Sequence, residues 1–172
     1  MNIPLSLIGF EGYDEGERLI GLTDATLPDI EFATTDIKGA GISGTLSFPI
    51  RGNFENFTTT LRWRTLTSSG AKYLNQTQGW HLSLRGAFED YDAGEGIRKV
   101  VPVRCDMRVH ATKLALGKFE SGEQSEAELE AMIDWVKLTV DGKEVFSVDR
   151  FNYQMSVNGV DIFADVNAAL GR

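Results

Sequence analysis

Cysteine is nearly absent from the sequence. Cys105 is the single cysteine among 172 residues, so no disulfide can form within the chain. This excludes a small disulfide-stapled scaffold and is compatible with folding in a reducing compartment. A chain of this length buries about 70% of its unfolded surface, so one domain spanning 1–172 needs neither a disulfide nor a metal to fold.

Basic residues and long apolar runs are also scarce. Lys and Arg number 17 against 25 Asp and Glu, and the net charge of −8 indicates a poor general binder of nucleic acid. No stretch approaches the length of about 18 apolar residues that a membrane-spanning helix needs. The N-terminus lacks a basic region, and Pro4, Ser6 and Gly9 interrupt its apolar run, so neither a secretory signal nor a membrane partner is expected.

No catalytic or metal-binding set can be assembled from the few reactive residues. His81 and His110 are the only histidines, and Cys105 falls on the opposite strand face from His110, so a zinc ion would lack ligands on one side. An EF-hand reading of EDYDAGEG puts Glu95 and Val101 where a calcium loop needs a glycine and an acid. No nucleophile with its base stands out either. We therefore predict a non-enzymatic protein with no metal and no cofactor.

What the sequence has in quantity is alternation of apolar and polar residues with a period of two. Four segments alternate in this way: 57–65, 80–88, 97–110 and 128–135. They predict four long strands, each with one apolar and one polar face. The polar faces carry the charged residues Arg62, Arg64, Arg85, Arg104, Asp106, Arg108, Glu128, Glu130 and Asp134.

The charged faces leave two interpretations open. One is an ordinary solvated sheet face, and the other is the wall of a wet channel built by several copies, whose closure would remove exposed sheet edges. Opposite charges on neighbouring strands can pair in either case. Trp63, Trp80 and Trp135 fall on the apolar faces, which disfavours a carbohydrate-binding sandwich with exposed tryptophans.

Local signals predict the turns and two helices. The segment 92–96 is expected to join two strands, and Asp141-Gly142 to form a hairpin that pairs Val140 with Lys143 and Leu138 with Val145. A short helix is expected within 68–76. A second helix is expected over 161–171, capped by Asp161 and ended by Gly171. Its apolar side would dock on the sheet through Ile162, Val166 and Leu170.

A glycine-rich stretch, IKGAGISG (37–44), contains G-x-G-x-x-G. A dinucleotide-binding turn must open a helix, but the following TLSFPIRG favours a strand and contains Pro49, so this function is disfavoured. The glycines instead indicate a loop that needs positive φ angles.

Several stretches together resemble the major tail tube proteins of contractile-tailed bacteriophages and related phage-tail-like bacteriocins. They are TLPDIEF (26–32), IKGAGISG (37–44), LRWRTL (61–66) and LTVDGKEVFSVDRFNYQMSVNGVDIFADVNAALG (138–171). The resemblance implies a mainly β fold of the sandwich or barrel type, with one short helix and a C-terminal helix. It implies hexameric rings that stack into a tube inside a contractile sheath, with four strands of each subunit in an inner β-barrel.

The resemblance also implies partners and places for the residues above. The lumen of such a tube holds the tape-measure protein during assembly and passes DNA during infection, and baseplate and tail terminator proteins bind its ends. The charged faces would line the lumen. A loop at about 34–50 would reach the next ring, with Lys38, Gly39, Gly41, Ile42 and Gly44 at its tip. The protein would be part of a virion tail assembled in the host cytoplasm, or alternatively of a bacteriocin, a type VI secretion system or another contractile injection system.

Overall fold

The chain folds into a mainly β structure, as the sequence predicts. The computed structural model describes residues 1–65 and 67–172, so Leu66 of the LRWRTL stretch lies outside the described residues. The strands are β1 (Asn2–Asp14), β2 (Glu17–Arg18), β3 (Leu22–Thr26), β4 (Phe32–Ile37), β5 (Leu46–Phe54), β6 (Phe57–Trp63), β7 (Trp80–Asp92), β8 (Ile97–Ala115), β9 (Ala127–Val140), β10 (Lys143–Asp149), β11 (Gln154–Val157) and β12 (Val160–Asp161). The helices are α1 (Ser68–Ala71), followed by a 3₁₀ turn (Lys72–Leu74), and α2 (Ala164–Ala169).

One large antiparallel sheet branches at β9. Its main path runs β2-β1-β7-β8-β9-β10-β11-β12. On the edge opposite β8, the second half of β9 pairs with β10, whereas its first half pairs with β6, which in turn pairs with β3. Both branches contribute buried side chains to the core, among them Leu61 and Trp63 of β6 and Val148 of β10. Strands β4 and β5 form a separate two-stranded sheet.

The core confirms the alternation in the predicted strands. Along β6, the side chains of Phe57, Thr59, Leu61 and Trp63 are buried, while the residues between them are exposed or half-buried. The same alternation buries Leu82 and Leu84 in β7, Cys105, Met107 and Val109 in β8, and Leu129, Ala131 and Ile133 in β9. The apolar faces of the four predicted strands therefore form one continuous core, except at the far ends of β7 and β8, where Phe88 and Ile97 are 37% and 51% exposed.

A β-bulge at Asp134 overturns the prediction for Trp135. Val109 pairs with Ile133 but the preceding Arg108 pairs with Trp135, so β8 skips Asp134. An extra residue in one strand shifts all later side chains to the other face. Val136 is consequently buried, and Trp135 lies on the same face as Arg108, not on the apolar face.

The predicted hairpin at Asp141-Gly142 forms, with one difference in register. Both residues have positive φ angles, 49° and 73°, and Val140 pairs with Lys143 as expected. A bulge between Glu144 and Phe146 then pairs Leu138 with Phe146 and not with Val145. The turn predicted at 92–96 joins β7 to β8 through residues 93–96, while Asp92 is the last residue of β7.

The C-terminal helix is shorter than predicted, and Leu170 does not dock. Asp161 belongs to β12, and its Oδ1 accepts a hydrogen bond from the Phe163 N–H (2.8 Å), so the helix begins only at Ala164. Ile162 and Val166 pack on the core, but Leu170 is 58% exposed because it lies at the helix end. Gly171 ends the helix as predicted, with a φ of 75° and an N–H bond to Ala168 O.

Candidate assembly surfaces

The outer side of the large sheet carries a polar face opposite the core. We use this name for Arg62, Arg85, Arg104, Asp106, Arg108, Glu128, Glu130, Trp135 and Lys137. Cross-strand pairing places them together: Arg62 opposite Glu128, Asp106 opposite Lys137, and Arg108 opposite Trp135. Two further residues predicted for this surface lie elsewhere. Arg64 follows the end of β6 and is exposed, and Asp134 is buried in the bulge.

An ion pair links β6 to β9 on the polar face. Arg62 Nε donates to Glu128 Oε2 (2.5 Å), and Arg62 Nη1 lies 3.6 Å from Asp24 Oδ2. The hydrogen bond from Arg62 lowers the pKa of Glu128, and the same bond raises the pKa of Arg62. Both groups therefore stay ionised together, although each is partly exposed and contributes little to stability.

The bulge turns the Asp134 carboxylate towards the side chains of Arg108 and His110. Arg108 Nε lies 2.7 Å from Asp134 Oδ1, and His110 Nε2 lies 2.9 Å from Oδ2. The Asp134 backbone carbonyl accepts from the Arg150 N–H (3.2 Å), which follows β10. Asp134 thus connects β8, β9 and the end of β10 at the point where the sheet branches.

The remaining cations of the polar face also have close neighbours. Arg104 pairs with Asp106 (2.8 Å) and Lys137 with Glu144 (3.2 Å). The Arg85 guanidinium lies over the Tyr13 ring, 4.2 Å from its centroid. A hydrogen bond to Glu11 raises the pKa of Tyr13, so its phenol stays neutral beneath that cation. The polar face therefore presents charges that are largely compensated within the subunit.

Sequence reasoning missed the aromatic residues of the polar face. Trp135 packs edge-on against His81 with ring centroids 6.1 Å apart. Tyr13 joins them from β1, a strand that the sequence analysis does not predict. The argument that all tryptophans are withheld from this surface is therefore wrong for Trp135, while Trp63 is buried and Trp80 packs on the core.

The second surface is a two-stranded arm, formed by β4 and β5 with residues 38–45 at its tip. The stretch predicted as a loop at 34–50 is thus mostly paired strand, and Ile37 pairs with Leu46 next to the tip. Gly41 and Gly44 have φ angles of 90° and 89°, and a Cβ atom at either position would meet no atom within 4 Å. Lys38, Gly39 and Ile42 share this exposed tip with them.

The base of the arm is fixed by the C-terminal helix. Arg51 Nη2 lies 3.0 Å from Asp165 Oδ2. The Phe163 ring packs on the backbone of Gly52, where φ is 77°. Phe163, which the sequence analysis did not select, is only 4% exposed and takes the anchoring place predicted for Leu170.

Within residues 1–65 and 67–172, no three His, Cys, Asp or Glu side chains come together in a way that could hold a metal ion. Over the same residues, no helix combines the length and the apolar character required to cross a bilayer.

Comparison with known proteins decides the family. The model of the phage tail tube protein FII family matches residues 4–171. The chain belongs to this family. The tail tube protein of Escherichia phage P2 is 24% identical over 170 residues, which cover 94% of this chain and 88% of the phage P2 protein. The family is one of structural tail tube proteins, in agreement with the absence of a catalytic set in the sequence.

Solved structures of contractile injection systems share the fold of this family member. The sheath/tube terminator of an extracellular contractile injection system matches with a TM-score of 0.58 and 15% identity, covering 80% of this chain and 97% of that one. The tube-terminating cap of the anti-feeding prophage matches with a TM-score of 0.54 and 17% identity, covering 76% and 87%. A sheath-tube complex of an extracellular contractile injection system in the extended state matches with a TM-score of 0.54 and 14% identity. The match covers 76% of this chain and 87% of that one.

Proposed function

We propose that this chain forms hexameric rings that stack into the tube of a contractile tail. The observation that carries the proposal is the match of residues 4–171 to the tail tube family, on a sheet whose outer side carries the polar face. The polar face lines the lumen, and the core and α2 lie outside it. The whole chain acts as one tube domain, with four strands of each subunit contributing to an inner β-barrel.

Uncovered strand edges supply the lateral contacts of the proposed ring. Among the described residues, the outer edge of β1 is paired only at Tyr13 and Asp14, by β2. On the other side of the sheet, β3 pairs with β6 alone. Exposed edges invite pairing with another chain, and a closed ring of subunits satisfies all of them.

Charge compensation on the polar face suits a conduit. Each phosphate that a cation binds adds affinity for DNA and slows its passage. Arg62, Arg104 and Arg108 are each engaged by a carboxylate of the same subunit, and the chain as a whole is acidic. The lumen therefore passes DNA during ejection without retaining it, and it holds the tape-measure protein during assembly.

The tube works within a larger tail. The sheath surrounds it, and baseplate and tail terminator proteins bind its two ends. The assembled particle is a virion tail put together in the host cytoplasm. The fold shared with extracellular contractile injection systems supports one alternative, a tube of a bacteriocin or injection system with the same ring and another cargo. Particles purified with DNA-filled heads would support the phage function, and headless tails the alternative.

Electron microscopy of the purified protein tests the proposal. We expect tubes or six-fold rings in negative-stain micrographs at high protein concentration. Compact monomers that persist at all concentrations, and also in the presence of a terminator or baseplate protein, would contradict it.

Substitution of Gly41 by Val is expected to hinder stacking more than folding. The φ of 90° disfavours a β-branched residue, but the tip has no neighbours that the new side chain would displace. The melting temperature of the free subunit should change little, whereas tubes should become rare in micrographs. Ala40→Val places the same side chain in the same tip, at a position without positive φ, and should assemble.

Hydrogen exchange gives an independent readout of the tip. We expect residues 36–46 to exchange rapidly in the free subunit and to gain protection in tubes. Normal tube assembly by Gly41→Val, or protection that is the same in both states, would contradict a role of the tip in inter-ring contact.

A further inference from the structure

The outer edge of β1 is long, apolar and uncharged. It is open over residues 2–11, because β2 and Leu19 cover it only from Gly12 onwards. Residues 2–10 (NIPLSLIGF) carry no charged side chain. Four apolar side chains of this segment are 37–60% exposed: Ile3, Leu5, Leu7 and Ile8. An edge of this kind is a site at which another chain can add a strand.

Other open edges of the same sheet are short or charged. β12 consists of two residues and ends in Asp161, and β3 has five residues with Asp24 at its centre. Short strands and charged side chains both limit pairing with a second chain. Residues 2–10 of β1 have neither feature, so any protection of this edge has to come from the backbone.

The backbone of β1 is irregular along the open edge. Two residues of β1, Leu5 and Ile8, have no partner in β7, although their neighbours on both sides do. Each is the extra residue of a β-bulge, which bends the strand and increases its twist. The regular pairing of β1 is thereby divided into the runs 2–4, 6–7 and 9–14. A straight strand could follow the open edge in register over only one of these runs at a time.

Pro4 removes a hydrogen-bond donor from the same edge. A proline is tolerated in a strand where its nitrogen faces away from the partner strand. Met1 O accepts from the Ala93 N–H (3.0 Å), so the backbone of Met1 faces β7. The hydrogen-bonding direction alternates along an antiparallel strand, and Pro4, three residues later, therefore faces the open side. A strand that approached this edge would find no donor there.

We infer that the two bulges and Pro4 keep the open edge of β1 from pairing with a second copy of this chain while the subunit is free. The inference rests on the proposed ring, which has to use strand edges without letting free subunits aggregate through them. A colliding subunit matches at most one regular run of the edge, whereas a neighbour held at a fixed angle in a ring can follow its bends. Association of free subunits therefore begins with a lag.

Deletion of a bulged residue tests the inference. Removing Leu5, or removing Ile8, restores a regular register against β7 and leaves the rest of the chain unchanged. Light scattering by the purified full-length subunit measures the lag before association, and micrographs distinguish tubes from irregular aggregates. We expect either deletion to shorten the lag about tenfold, which corresponds to a barrier about 1.4 kcal/mol lower.

Two alanine variants are the matched controls. Leu5→Ala and Ile8→Ala keep the chain length and the bulges but shorten the exposed side chains, so their lag should be no shorter than that of the wild-type protein. Pro4→Val covers the case in which neither deletion variant folds, as judged by circular dichroism. This substitution restores the missing donor at unchanged chain length and should also shorten the lag.

The outcomes separate this inference from the proposed function. Folded deletion variants with the wild-type lag would overturn the inference and leave the tube function standing; if neither deletion folds, a wild-type lag for Pro4→Val does the same. Alanine variants that associate as fast as the deletion variants would also overturn it, because loss of the side chain would then explain the effect. A wild-type protein that forms no rings or tubes, beside deletion variants that still associate, would overturn the proposed function and support the inference.

Discussion

The Lys72→Met variant is expected to have a free energy of unfolding about 3 kcal/mol lower than that of the wild-type protein. The Asp14 carboxylate, at the end of β1, is completely buried, and Lys72 Nζ lies 2.6 Å from its Oδ2. Methionine keeps the apolar length of lysine but removes the charge, so a buried carboxylate is left without its cation. The neighbouring Tyr73 is also completely buried, and this burial together with Asp14 raises the pKa of its phenol.

Denaturant unfolding followed by circular dichroism measures this loss. The matched control is Lys113→Met, which removes the ion pair with Glu130. Both side chains of this pair are exposed, so the control should lower the free energy of unfolding by less than about 1 kcal/mol. Adding Asp14→Asn to Lys72→Met should recover part of the stability, because the unpaired charge is gone. A Lys72→Met variant as stable as the Lys113→Met control would show that Asp14 does not depend on this cation.

The Gly52→Ala variant is expected to lose about 3 kcal/mol of stability. Two effects add at this residue. Its φ of 77° strains any residue with a Cβ, and that Cβ would lie 2.0 Å from Phe163 Cζ, so the ring that anchors α2 must move. Gly9→Ala, where a Cβ meets nothing within 4 Å, should change stability by much less.

A double-mutant cycle with Phe163→Ala identifies the cause. If the clash dominates, Gly52→Ala should cost at least about 1 kcal/mol less in the Phe163→Ala background than in the wild-type protein. Equal costs in both backgrounds would assign the effect to backbone strain alone and contradict contact between Gly52 and the ring.

The strands were predictable where one face is buried along the whole segment. In β6, the alternation from Phe57 to Trp63 follows directly from a sheet with one covered face. The bulge at Asp134 was not predictable, because Ile133, Asp134 and Trp135 continue a regular alternation. Only the change of partner from β6 to β10 explains why β8 skips this residue, and that change is a property of the tertiary structure.

The candidate surfaces were predictable in composition and less so in detail. Charge alternation placed Arg62 and Glu128 on one face, and the register then brings them together. The partner of Arg104 is Asp106 on the same strand, which alternation alone does not distinguish from a cross-strand partner. The sequence predicts a loop and a strand-forming TLSFPIRG in this region but not the pairing of β4 with β5, since most of the arm has no buried face to produce a clear pattern.

The contact between α2 and the base of the arm has a mechanical consequence. Arg51 and Asp165 are 114 residues apart in the chain, yet together with Gly52 and Phe163 they determine the angle at which the arm leaves the body. In the proposed stack, that angle sets the rotation between one ring and the next. If the arm of a single subunit left the body at a different angle, the other subunits of its ring would average out the effect. A sequence change at α2 would instead alter the angle in every subunit, and the change would accumulate along the tube as a change of helical pitch.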